Sequence, residues 1–184
     1  NYVVDDVYEL KKTYDFVSSF LSLPWFNYKK LFKKISELLN ENGTFVFMTD
    51  YWWWPVTSTK IVGHFPYVSQ RLDRDDFEKY LSEFHPNDVK DYLKRYDWFH
   101  QSTENKATLS QYIDEAEKNG LSLLNYKRIM PRASTNPKTS ISPFELENYS
   151  DCSLSEVLDN IRQFRQDVTI EDLKTDRIIV AFVK

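Results

Sequence analysis

Apolar and polar residues alternate with different periods along the first fifty positions. Tyr14 to Ser18 is apolar through Phe16 and Val17 with little alternation, the pattern of a strand covered on both faces. Pro24 interrupts it. From about Tyr28 to Asn40, Leu31, Ile35, Leu38 and Leu39 form one stripe, while Lys29, Lys30, Lys33, Lys34 and Glu37 fill the wet side. That spacing predicts an amphipathic helix. Asn42-Gly43 predicts its end, because glycine takes the left-handed conformation past a helix at little cost. Thr44 to Thr49 then predicts a second strand. A strand–helix–strand unit builds a parallel pair, and parallel sheets place ligands beyond the carboxyl ends of their strands. Ser18-Ser19-Phe20-Leu21-Ser22-Leu23-Pro24-Trp25 follows the first strand. Asp50-Tyr51 and three tryptophans, Trp52, Trp53 and Trp54, follow the second.

Residues 51–72 show no clean period and carry Pro55, Gly63 and Pro66 among aromatic side chains. A loop of this length is uncommon unless it acts as a lid or binding loop. Helical patterns follow. Asp73 is placed to cap a helix with Phe77, Tyr80, Leu81 and Phe84 inward, and His85-Pro86 breaks it. Val89, Tyr92, Leu93 and Tyr96 repeat the spacing. Thr108 opens a third helix with Leu109, Tyr112, Ile113 and Ala116 inward and Gly120 at its end. Leu121 to Ile129 reads as a strand, and Pro131 to Pro143 as a polar surface loop. Ser153 and Glu156 have the spacing of a capping box, ahead of a helix burying Leu154, Val157, Leu158, Ile161 and Phe164. Arg177 to Val183 closes the sequence as an apolar strand.

Composition narrows the function classes. In 184 residues, 41% are hydrophobic, enough for a sizeable core, and the expected organisation is one domain with an embedded subdomain. A net charge of -4 argues against a nucleic-acid partner, which favours basic faces. No apolar run approaches the roughly 20 residues of a membrane helix, so no membrane partner is expected. The single cysteine, Cys152, suits a reducing compartment, and a cytoplasmic location is expected. It has no neighbouring histidine or basic cluster and reads as an inert thiol. Three separated glycines leave no Gly-rich phosphate loop. Histidine and cysteine spacings show no metal pattern, and no metal is expected.

Four segments carry a resemblance. Tyr14-Asp15-Phe16-Val17-Ser18-Ser19 is similar to the fourth strand of class I S-adenosylmethionine-dependent methyltransferases. Leu31 to Leu39 with Asn42-Gly43-Thr44-Phe45-Val46-Phe47 resembles that family's following helix, turn and strand. Ala116-Glu117-Lys118-Asn119-Gly120-Leu121 resembles the entry to its sixth strand, and Ile178 to Val183 its terminal strand. The spacing from Asp5-Asp6-Val7 to Tyr14-Asp15 also fits. The family's Gly-rich loop and the acid after its second strand have no counterpart and would lie before Asn1, so the chain reads as the C-terminal half of such a protein. The resemblance implies an α/β fold: a partial Rossmann-like sheet, a helical and aromatic lid insertion, and a C-terminal antiparallel strand pair. It divides the chain into part of the cofactor core at 1–50, a lid and substrate-binding insertion at 51–106, and the rest of the core at 107–184.

The same resemblance implies S-adenosylmethionine as cofactor and methyl transfer to a small molecule. A hydroxyl acceptor, on a sugar or sugar-containing metabolite, is the first expectation. Asp5, Asp6 and Val7 would clamp adenine, with solvated turn acids as the plain alternative. Ser18, Ser19 and Phe20 would run beside the methionine part. Trp25, Phe26 and Tyr28 would open the substrate side or stack on adenine, or else pack against the helix that follows. Tyr51, Trp52, Trp53 and Trp54 are hard to hide in one core, because successive side chains point in different directions; indoles suit sugar faces, rings and cations. The alternative is a hydrophobic plug under the insertion. Tyr67 belongs to the same aromatic loop. His64, in Gly63-His64-Phe65-Pro66-Tyr67, is the candidate base, since removing a hydroxyl proton near neutral pH suits histidine; for each histidine a surface or capping role competes. Arg71, Arg128 and Arg132 could hold an anionic substrate group, against the plain alternative of surface charge. A homodimer is compatible with all this. The rival reading is a non-catalytic methyltransferase-like interaction module that uses the aromatic insertion against a partner.

Overall fold

The computed structural model describes residues 6–51, 67–101, 105–129 and 153–184. The chain divides into two compact units. One comprises Asn1–Tyr51, Thr103–Ile129 and Arg177–Lys184, the other Trp52–Ser102 and Met130–Asp176.

The first unit holds a four-stranded sheet of β1 (Tyr14–Phe20), β2 (Leu39–Asp50), β3 (Ser122–Ile129) and β4 (Arg177–Val183), with helices α1 (Tyr28–Leu38) and α5 (Leu109–Lys118). The strand order is β1-β2-β4-β3. β1 and β2 run parallel, while β4 is antiparallel to both of its neighbours, β2 and β3. The fold is α/β, a partial Rossmann-like sheet with the antiparallel finish that the sequence implied. That the last strand inserts between β2 and β3 is a tertiary decision.

α1 forms where its stripe predicts. Asn27 caps it by accepting from the Lys30 N–H at 3.1 Å, and Leu31, Phe32, Ile35 and Leu38 are buried. Phe32 lies at the centre of an aromatic core, with ring centroids 6.0 Å from Phe45, 6.2 Å from Phe47, 5.7 Å from Phe182 and 6.2 Å from Tyr112. α1 and α5 therefore cover one face of the sheet, the face of Phe45, Phe47, Ile178, Val180 and Phe182. Val46, Met48, Ile179 and Ala181, on the other face, are half-buried.

Two expectations about this unit are corrected. β1 is not covered on both faces: Tyr14, Asp15, Phe16, Ser18 and Phe20 are exposed, and only Val17 and Ser19 are half-buried. Among the described residues β1 ends the sheet order and pairs with β2 alone, so an apolar run of parallel-sheet type occupies an edge there. Nor is Gly43 the left-handed residue after α1. The helix ends at Leu38 and passes directly into β2, and Asn42 carries the positive φ of 62°. Gly43 is needed for space, because a Cβ there would lie 2.8 Å from the Asn40 carbonyl oxygen and 3.1 Å from that of Tyr14. The carbonyls at the end of α1 find a donor from far along the chain: Lys184 Nζ donates to Ser36 O at 2.6 Å and Leu39 O at 2.9 Å.

The second unit is helical where it is described: α2 (Val68–Arg71), α3 (Arg74–Phe84), α4 (Val89–Gln101), α6 (Leu154–Arg162) and α7 (Ile170–Leu173). Asp73 caps α3, and the capping box of Ser153 and Glu156 forms at α6. The Glu156 carboxyl is held below its ordinary pKa by its hydrogen bonds to the Ser153 backbone and hydroxyl. α3 and α4 meet through stacked Phe77 and Tyr96 rings, 4.9 Å apart, and Arg74 bridges to Asp97 at 2.8 Å. Phe84 and Phe164 point outward instead of inward, 60% exposed each. Phe84 ends α3, and Phe164 lies past the end of α6, so neither is carried on a continuing helical face.

Candidate functional site

Parallel pairing puts the carboxyl ends of β1 and β2 at the same edge of the sheet, where α/β proteins bind ligands. Val17 pairs with Phe45 and Phe20 with Met48, and the Leu21 N–H reaches the Met48 carbonyl at 2.7 Å to extend the ladder. Leu21 adopts φ of 58°. A bulky non-glycine residue in this conformation is uncommon and costs about 1–3 kcal/mol, and such outliers gather at functional turns. The turn is strapped by a 2.8 Å hydrogen bond between the hydroxyls of Ser19 and Ser22. A single 3-10 turn follows, Leu23–Trp25. Leu23 is fully buried beneath it, while Trp25 stands 56% exposed.

Around this turn the structure gathers several expected residues. Asp6 and Val7 begin a tight turn in which Asp6 accepts from the backbone of Tyr8 and Glu9. Tyr8 makes an edge contact with Phe26 at 6.4 Å, which brings the Asp6–Val7 turn to the loop after β1. Burial, with help from Asp6, raises the Tyr8 phenol above its ordinary pKa. Lys34 Nζ holds the segment by donating to Leu10 O at 2.7 Å. Ser19 and Phe20 lie at the strand end, with Phe20 63% exposed. Ser18 is exposed and points to the opposite sheet face from Ser19.

At the end of β2, Thr49 is buried and Asp50 accepts from Arg177 Nε at 2.7 Å across the antiparallel pair. Tyr51 is buried, and its hydroxyl oxygen accepts from the Leu109 N–H at 2.7 Å. It thereby satisfies one of the backbone donors left open in the first turn of α5. The Arg128 guanidinium lies 5.9 Å from the Tyr51 ring centroid, within cation–π range.

Other expected residues belong to the second unit or fall outside the described residues. Tyr67 and Arg71 are in the second unit. Tyr67 is fully buried and donates to Leu173 O at 2.6 Å, and Arg71 donates to Asn160 at 3.2 Å. His85 packs between the rings of Tyr80 and Tyr92, and His100 lies 4.2 Å from Tyr96, both within the α3–α4 pair. Asp5, Trp52, Trp53, Trp54, His64 and Arg132 lie outside the described residues, as do Cys152 and the Pro131–Pro143 segment. Among the described residues no cluster of histidine, cysteine and acidic side chains could hold a metal.

Asn105 was not anticipated. It supplies several of the hydrogen bonds that hold the loop after β1, yet nothing in its local sequence marks it, because its partners are about eighty residues away.

No protein-family model matches the chain, nor does any curated protein. Solved structures do. An S-adenosylmethionine dependent methyltransferase from Mesorhizobium loti matches at 15% identity and TM-score 0.47, over 98% of this chain and 67% of its own. A candidate sarcosine dimethylglycine methyltransferase from Galdieria sulphuraria matches at 14% identity and TM-score 0.40, over 98% of this chain and 57% of its own. PKMT2 from Rickettsia typhi matches at 16% identity and TM-score 0.44, over 96% of this chain and 37% of its own. The chain thus spans between about one third and two thirds of the length of these structures.

Proposed function

We propose that the chain forms part of a class I S-adenosylmethionine-dependent methyltransferase that methylates a small molecule at a hydroxyl. The observation that carries this reading is the sheet. A parallel β1–β2 pair ends in a serine-strapped turn with an exposed indole, and β4, antiparallel to β2, lies against the other side of β2.

The residues present suit the cofactor. The Val7 N–H follows the Asp6 carboxylate directly in the chain, as an adenine edge requires of an adjacent donor and acceptor. Asp5, Asp6 and Val7 would hold the adenine, and Ser18, Ser19 and Phe20 would lie beside the amino-acid portion. When bound, S-adenosylmethionine supplies the methyl group as an electrophile. The chain's part is to orient the acceptor in line and to exclude water. Trp25, with Trp52, Trp53 and Trp54, would hold an acceptor with a flat apolar face, of which a sugar ring is one. Tyr51, directly after β2, would back that run, its own hydroxyl being engaged by α5. His64 would take the hydroxyl proton, and Arg132 an anionic group of the acceptor; Tyr67 and Arg71 would support the insertion. A cytoplasmic location and a homodimer accord with this reading.

The test is calorimetric titration of the full-length protein with S-adenosylhomocysteine, alongside a thermal shift. Saturating ligand at 100 times its Kd should stabilise the protein by about 2.7 kcal/mol. The absence of both heat and thermal shift at millimolar ligand would end the proposal.

A further inference from the structure

We propose that Asn105 is a positioning residue, which sets the loop after β1, and with it Trp25 and Phe26, from the place where the chain re-enters the sheet unit. This inference rests on the methyl-donor reading for its ligand, though the loop-holding role itself does not.

The loop has little support of its own. A single 3-10 turn, Leu23–Trp25, separates β1 from α1, and β1 itself is largely exposed. Asn105 supplies what is missing. Its backbone N–H donates to Pro24 O at 2.6 Å, and its side-chain amide donates to Leu23 O at 2.8 Å and Phe26 O at 2.9 Å. One residue therefore holds three carbonyls within a four-residue stretch. The acceptor side of the amide is filled as well. Asn105 Oδ1 accepts from the Tyr112 hydroxyl at 2.6 Å and from the Ala107 N–H at 3.4 Å. These two donors fix which way the amide faces.

The arrangement has two consequences. With both amide hydrogens and the oxygen engaged, Asn105 has nothing left to offer a ligand, so it acts through the loop. And the loop is tied to the core, because Tyr112 packs edge-on against Tyr28 at 5.6 Å and Phe47 at 5.6 Å. A lost amide donor would free the loop while leaving that aromatic core in place.

Its position in the chain adds a further point. The chain leaves the sheet unit after Tyr51 and returns at Thr103. Tyr51 is anchored to Leu109, in the first turn of α5, and Asn105 to Tyr112, one turn further along the same helix. Exit and return are thus both clamped at the start of α5. Asn105 is the clamp that also holds the candidate ligand loop.

The experiment compares wild type, Asn105→Asp and Tyr112→Phe in the full-length protein, by amide hydrogen exchange and by titration with S-adenosylhomocysteine. Asn105→Asp keeps the shape and the acceptor but replaces two donors by an oxygen facing two carbonyls. Exchange protection over residues 23–28 should fall by at least about tenfold, with β2 and β4 unchanged, and ligand affinity should fall by about tenfold or more. Tyr112→Phe removes one hydroxyl and preserves the packing, so it is the safer variant for folding. It should loosen the same residues by a few-fold. Unchanged protection over 23–28 in both variants overturns the inference. Loss spread equally over β2 and β4 does the same, as does a loosened loop with ligand affinity intact. If wild type binds no S-adenosylhomocysteine, the methyl-donor reading falls, and the exchange data alone decide whether Asn105 holds the loop.

Discussion

Two phenylalanines on neighbouring parallel strands make the sharpest test of the fold. Phe47 of β2 is fully buried, with ring centroids 5.6 to 6.3 Å from those of Tyr112, Phe45, Phe32 and Phe182. Phe16 of β1 pairs with Thr44 on the opposite face and is 58% exposed. Burying a phenylalanine removes about 200 Å² from water, which at about 25 cal/mol per Å² is roughly 5 kcal/mol, an upper value. Truncating Phe47 also leaves a cavity among rings that cannot collapse into it, so Phe47→Ala should cost about 3–5 kcal/mol. Phe16 keeps only about two fifths of that area from water, roughly 80 Å², and solvent fills the space it vacates. Phe16→Ala should therefore cost under about 2 kcal/mol. The assay is urea unfolding followed by far-UV circular dichroism, with midpoints compared at a common slope. The difference between the two variants is the informative quantity, because the unfolded-state reference largely cancels. If Phe16→Ala proves as costly as Phe47→Ala to within about 1 kcal/mol, β1 is covered on both faces after all, and the edge assignment is wrong.

Two further outcomes follow from single residues. Gly43→Ala should destabilise by about 1–3 kcal/mol, because the new methyl group meets backbone that has to move, whereas Asn42→Gly should be near neutral since φ there is already left-handed. Thermal midpoints of the two variants decide this, and a neutral Gly43→Ala removes the close-approach argument. Burial pushes the Tyr96 phenol up to about 12, reinforced by Asp73 and Asp97 and opposed by Arg74. A raised folded pKa means that the unfolded chain loses this proton first. Stability from this group is complete below pH 10 and declines as pH rises from about 10 to about 12. Urea midpoints across that window should fall more steeply for wild type than for Tyr96→Phe; parallel slopes would place the phenol in water.

Much of the fold was legible along the chain. The stripe of α1, the caps at Asp73, Thr108 and Ser153, and the apolar final strand depend on residues within a few positions of each other. Periodicity and capping act over one or two turns, so the sequence carries them directly. The failures lie where an element met something distant. Phe84 and Phe164 kept helical spacing on paper, but each fell at or beyond a helix end. Gly43 reads as a turn glycine, whereas its constraint is one of space, set first by the nearby Asn40 carbonyl and then by that of Tyr14 on the neighbouring strand.

The candidate site divides in the same way. That Ser18 to Trp25 and Asp50 to Tyr51 follow two strands is a sequence property, and parallel pairing made their shared edge foreseeable. Tertiary structure alone decided that Tyr51 would be buried with its hydroxyl engaged by α5, and that Asp50 would meet Arg177, 127 residues away. It alone placed Asn105 against Leu23, 82 residues earlier. An apolar strand also reads the same at an edge as in the middle of a sheet, because its own residues specify a strand without specifying its neighbours. The sequence by itself determined the elements and the order of chemistry along them. Only the folded chain determined which faces are covered and which polar groups meet, since burial and hydrogen bonding between segments are properties of the assembled packing.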